Sequence, residues 1–82
     1  MYTISGTVVC CGGFPVENAT VILGNTYDLS DENGKFELHN VPAGTHRLKV
    51  VHRSYETFEE PMEVSGNISG GTIYIGYKPK LA

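Results

Sequence analysis

Imidazole and thiolate are the strongest metal ligands and nucleophiles a protein offers, and here they are few: His39, His46 and His52, with the adjacent pair Cys10 and Cys11. His46 and His52 fall on the same face of one extended segment. Six residues of strand at about 3.3 Å each put them roughly 20 Å apart, whereas one zinc ion needs its ligand nitrogens at about 2.0–2.1 Å, so these two do not share an ion. His39 lies across the Val41–Gly44 corner and is the histidine placed to approach His46. The candidate metal set is therefore His39, His46, Cys10 and Cys11. The ordinary alternative makes His46 and His52 half-buried amphipathic side chains at the two ends of a core strand.

Cys10 and Cys11 do not staple distant parts of the chain. A bond between neighbours closes a strained ring, because a trans peptide holds the Cα atoms about 3.8 Å apart and disulfides want about 4.4–6.8 Å. Two reduced thiols are expected. A catalytic thiol needs a helix N-terminus, a cation or a paired histidine to lower its pKa, and the local sequence supplies none of these. No Gly-x-Ser-x-Gly element or other nucleophile motif is present.

Asp28, Asp31, Glu32 and Asn33 are oxygen donors of the kind calcium loops use. Their spacing is not that of an EF-hand, and their flanks read as strands rather than helices. The simpler reading is a turn in which Asp31 or Asn33 bonds its own backbone. Glu56, Glu59, Glu60 and Glu63 form the one charge clump, read as a solvated acidic edge that discourages sheet-to-sheet aggregation. Tyr27, Tyr55 and Tyr74 are candidates for a carbohydrate surface through ring stacking. Rim packing with a wet hydroxyl is the plainer alternative.

The elements that position these residues are short. The chain has 82 residues, 10 of them glycine and 4 proline, which implies many turns and few long helices. A single domain of this size buries only roughly 60% of the surface its unfolded chain exposes, so a deep enclosed active site is not expected. Net charge is -3 with only 6 Lys plus Arg, which excludes electrostatic nucleic-acid binding. No apolar run reaches the roughly 20 residues of a transmembrane helix, and no signal peptide is visible. The matches at Asn18-Ala19-Thr20 and Asn67-Ile68-Ser69 to the glycosylation pattern are taken as chance.

Alternation of apolar and polar residues predicts strands over Tyr2–Val9, Asn18–Leu23, Thr26–Ser30, Lys35–His39, Thr45–Arg53, Thr57–Val64 and Thr72–Tyr77, with a loop over 66–71. Pro61 marks an edge or a bulge. Asn33-Gly34 is the strongest turn signal and is expected to make a hairpin. The predicted core is Ile4, Val8, Ala19, Val21, Leu23, Phe36, Leu38, Leu48, Val50, Phe58, Val64, Ile73 and Ile75. The prediction is an all-β, antiparallel seven-stranded β-sandwich forming one domain over residues 1–77, followed by a tail over 78–82.

Four pieces, in order, resemble one family: Ile4-Ser5-Gly6-Thr7-Val8, Phe14-Pro15-Val16-Glu17-Asn18-Ala19-Thr20-Val21, Ser30-Asp31-Glu32-Asn33-Gly34-Lys35-Phe36, and Val41-Pro42-Ala43-Gly44-Thr45 leading into Leu48 and Val50. Together they are similar to the carboxypeptidase regulatory-like domain, from about Tyr2 to Ile75. The resemblance implies a transthyretin-like (prealbumin-like) Greek-key sandwich. It also implies a non-catalytic accessory or interaction module with no cofactor, in an extracytoplasmic or cell-envelope setting. The partner expected is another protein or another domain of a longer chain, met by strand addition at an exposed edge, with a carbohydrate-binding module and a His/Cys metal site as alternatives. The motif residues have structural causes. Gly6 sits where a side chain would crowd a neighbour, and Pro42 with Gly44 makes a corner.

Overall fold

A computed structural model describes residues 1–76 of the chain, and they form eight strands and no helix. The strands are β1 (Tyr2–Cys10), β2 (Phe14–Pro15), β3 (Thr20–Leu23), β4 (Thr26–Leu29), β5 (Lys35–Val41), β6 (Gly44–His52), β7 (Tyr55–Val64) and β8 (Ile68–Ile75). Two four-stranded sheets pack face to face. In one, β1 is central, with β2 and β5 along one side and β8 along the other; the second runs β4-β3-β6-β7. The chain crosses between sheets after β2, β4, β5 and β7.

The seven expected strands are all present. The eighth, β2, is a two-residue pairing of Val9 with Pro15 and Cys10 with Phe14, in a stretch whose glycines and proline read as a break. Two further differences matter for function. The segment expected as a loop over 66–71 is already strand from Ile68, because β8 runs parallel to β1 from Ile4↔Ile68 through Cys10↔Ile75. Two steps on β1 between Ile4 and Gly6 match three on β8, so β8 carries one extra residue, at a point where Gly70 has φ +75°. The Asn33-Gly34 turn joins β4 of one sheet to β5 of the other, so it is a crossover between layers rather than a hairpin. Asp31 organises that turn, its Oδ1 accepting the amides of Asn33 and Lys35, each at 2.9 Å. The expected 78–82 tail, and Tyr77 at the end of the last strand, lie outside the described residues.

The core follows the alternation. Twelve of the thirteen expected core residues are buried, and the thirteenth, Phe58, is half-buried and packs against the rest. Gly6 pairs with Phe36 on one side and Gly71 on the other. A Cβ there would stand 2.6 Å from the Gly71 carbonyl oxygen and 3.0 Å from the Phe36 ring, so the crowding expected of this position is real. Ser30 is the one buried polar side chain among the described residues. Its hydroxyl accepts the Ala19 amide at 2.9 Å and donates to the Val16 carbonyl at 2.6 Å.

Candidate functional site

A sandwich of two open sheets has two lateral seams, and in this protein they are built differently. The first lies between β4 and β5. There the Asp28 carboxylate accepts the Glu37 amide at 2.8 Å, joining the edge of one sheet to the edge of the other. Asp28→Ala removes this bridge and should cost about 1 kcal/mol in urea unfolding, the usual net value of such a bond. A change below about 0.3 kcal/mol would show that the seam closes by packing alone.

The second seam, between β7 and β8, is open. Among the described residues β7 is paired only with β6, and β8 only with β1. The two strands are tied at one end by the short 65–67 connection and at the other by the Glu56 amide, which donates to the Gly76 carbonyl at 2.8 Å. Between these ties lies a groove of about 440 Å³. Its lining is mainly apolar, with Phe58, Met62, Ile68 and Ile73, and Glu60, Thr72 and Tyr74 also line it. That volume falls in the range of pockets that take side chains and small ligands.

The edges flanking the groove differ in kind. On β7, Pro61 lacks an amide hydrogen, and Glu56, Glu59, Glu60 and Glu63 add charge, so a further strand is discouraged. β8 reads Ile-Ser-Gly-Gly-Thr-Ile-Tyr-Ile and carries no charge and no proline. Sequence reasoning assigned half of this strand to a loop and so missed the edge. The available signal was the absence of any charge from Asn67 to Tyr77.

The residues singled out from sequence are dispersed. His39 Nε2 lies 2.7 Å from Glu37 Oε1, and its other nitrogen lies 3.5 Å from the Thr3 hydroxyl, on the outside of the first sheet. His46 Nε2 is 2.8 Å from the Pro42 carbonyl oxygen, which only accepts, so that nitrogen carries the proton. His52 Nε2 donates to the Glu17 carbonyl at 3.1 Å, while its Nδ1 accepts the Ser54 amide at 3.0 Å. Both of its nitrogens are thereby occupied by backbone, and the expected half-buried state of His46 and His52 is what the structure shows. Cys10 is buried, with its thiol 3.5 Å from the Tyr55 hydroxyl, and Cys11 is exposed. No three of the His, Cys, Asp and Glu side chains come together as a metal site among the described residues.

The tyrosines do not form one platform. Tyr27 is 71% exposed on β4 and Tyr74 is 67% exposed on β8, in different sheets. Tyr55 is half-buried, its ring edge-on to His52 at 4.9 Å. Of the three, Tyr74 alone stands at the groove.

The sequence model of the carboxypeptidase regulatory-like domain matches residues 3–72. No curated protein sequence matches the chain. Among solved structures, the chain is similar to one chain of a type II cohesin–X–dockerin complex from Acetivibrio cellulolyticus, an N-terminal interface mutant. The TM-score is 0.82 at 23% identity over 94% of this chain and 58% of that one. A C-terminal interface mutant of the same complex gives a TM-score of 0.79 at 24% identity, over 92% of this chain and 57% of that one. This protein thus spans a little over half the length of those chains. The C-terminal domain of the Caf1A usher is similar at a TM-score of 0.52 and 9% identity, over 90% of this chain and 98% of that domain. At these identities the likeness is one of fold.

Proposed function

This chain belongs to the carboxypeptidase regulatory-like domain family, and from that premise we propose that it is a non-catalytic module that binds another protein at the open β7–β8 seam. The observation that carries the reading is the bare, uncharged edge of β8 beside an apolar groove. An extended segment of a partner satisfies such an edge with main-chain hydrogen bonds, while its alternate side chains drop into the groove. The cohesin–X–dockerin structures similar in fold come from a protein–protein complex, which agrees with this reading.

The test is an amide chemical-shift titration of the labelled protein with N-acetylated hexapeptides alternating Val and Thr. Saturable shifts confined to Ile68–Ile75 and the facing part of β7 are expected. Oligosaccharides and zinc are titrated in parallel. Peptides that leave β8 unmoved would overturn the proposal, as would sugar-induced shifts around Tyr74 in their place. Thr72→Lys sharpens the test, because Thr72 is exposed and a lysine on an edge strand opposes strand addition. The substitution should change stability by no more than about 0.5 kcal/mol and should weaken peptide binding at least tenfold. Unchanged binding by this variant would place the contact elsewhere.

A further inference from the structure

The inner face of β7 contains a residue its alternation does not predict. Phe58, Glu60, Met62 and Val64 lie two apart and so share one face. Val64 is buried, and Phe58 and Met62 pack against the core. Glu60 stands in this row opposite the buried Leu48 and is itself exposed, at the open side of the seam. Its neighbour Glu59, on the outer face, lies 3.8 Å from Arg47. Among the described residues, no Lys, Arg or His nitrogen stands within ion-pair distance of Glu60.

Resting on the docking reading above, we infer that Glu60 makes the seam selective for a basic side chain, and that the partner strand inserts a lysine or arginine into the groove. Three observations converge on this chemistry. Glu60 is the one charged residue lining a mainly apolar groove. Phe58 lines the same groove, and an aromatic face attracts a desolvated cation. Lysine and arginine also bring an apolar stem, which matches the walls formed by Met62, Ile68 and Ile73. The position is right for an added strand. Glu60 and Thr72 both line the groove, which the Glu56–Gly76 bond closes at one end. A guest strand laid along Gly71–Ile75 would turn an inward side chain toward Glu60.

The experiment uses four pools of the same acetylated Val/Thr hexapeptides, with lysine, arginine, norleucine or glutamate at one inward position. Each pool is titrated into the wild-type chain and into Glu60→Gln. Wild type should bind the lysine and arginine pools about tenfold more tightly than the norleucine pool and should bind the glutamate pool least. That preference should shrink as salt rises from 20 to 300 mM, experimental settings chosen to bring the Debye length from about 20 Å to below 10 Å. Glu60→Gln should bind all four pools alike, at the norleucine level. Equal binding of the basic and norleucine pools by wild type would overturn the role of Glu60, leave docking intact and make the carboxylate only a guard against edge association. A preference that survives in Glu60→Gln would also overturn it. Failure of every pool to shift β8 amides would overturn the docking reading and this inference with it.

Discussion

Gly34→Ala should destabilise the domain by about 2–5 kcal/mol, among the largest losses available from adding a single methyl group. Two costs combine. Gly34 has φ +76°, a left-handed conformation that costs an L-residue about 1–2 kcal/mol. A Cβ built there also lies 2.5 Å from the Val8 carbonyl oxygen and 3.2 Å from both the Pro15 side chain and the Val16 nitrogen. These neighbours cannot yield separately. The Val8 oxygen accepts the Val16 amide at 2.9 Å, and the Val8 amide donates to the Gly34 carbonyl at 2.7 Å. Overpacking against a constrained neighbour adds about 1–3 kcal/mol. In a domain of this size each kcal/mol lowers Tm by about 4–8 °C, so a fall on the order of 15 °C is expected. Gly12→Ala is the control. Its φ is +88°, but no atom lies within 4 Å of the added carbon, so only conformational strain of about 1 kcal/mol remains. Equal losses in the two variants, measured by urea unfolding, would show that steric contact at Gly34 contributes nothing.

Ser30→Ala is the second large expected effect, about 2–4 kcal/mol. The residue is 2% exposed, and its hydroxyl serves the Ala19 amide and the Val16 carbonyl together. Removing the hydroxyl leaves a donor and an acceptor without this partner, at about 1–3 kcal/mol for each group that stays unsatisfied. The damage would be local to the approach to β3, because the Ser30 backbone bonds to Asn18 and Ala19 are retained. Denaturant unfolding of the alanine variant gives the number directly. A loss under 1 kcal/mol would mean that water enters and replaces the hydroxyl.

The inner faces of the two sheets were legible because burial there repeats every second residue, as in Ile4, Val8 or Leu48, Val50. Val9 was not, since it points to the outer face and is still buried, at 8% exposure. Its two lateral neighbours are Pro15 on β2 and Tyr74 on β8, and neither pairing follows from local pattern. Cys10 continues the inward phase of Val8, but the double cysteine before two glycines reads as the start of a turn. Val16 and Val41 sit at element ends, where alternation gives no phase. Phe58 was expected in the core and is half-buried because the seam beside it is open. The seam itself depends on which strands become neighbours across sixty or more residues, so no window of sequence shows it. The exposure of Tyr74 follows from its position between the buried Ile73 and Ile75; its place at a groove does not.

The parallel pairing of β1 with β8 also decides how the domain answers to tension. A force drawn between the two ends of the chain pulls the start of β1 and the finish of β8 in opposite directions along their common axis. The regular ladder from Gly6↔Gly71 to Cys10↔Ile75 is then loaded lengthwise, as a lap joint is, and its bonds must give way together. An antiparallel pair of terminal strands would instead peel open one bond at a time. Pulled this way the domain resists through the whole β1–β8 ladder at once, and the opposite edge of β8 takes no part in bearing that load.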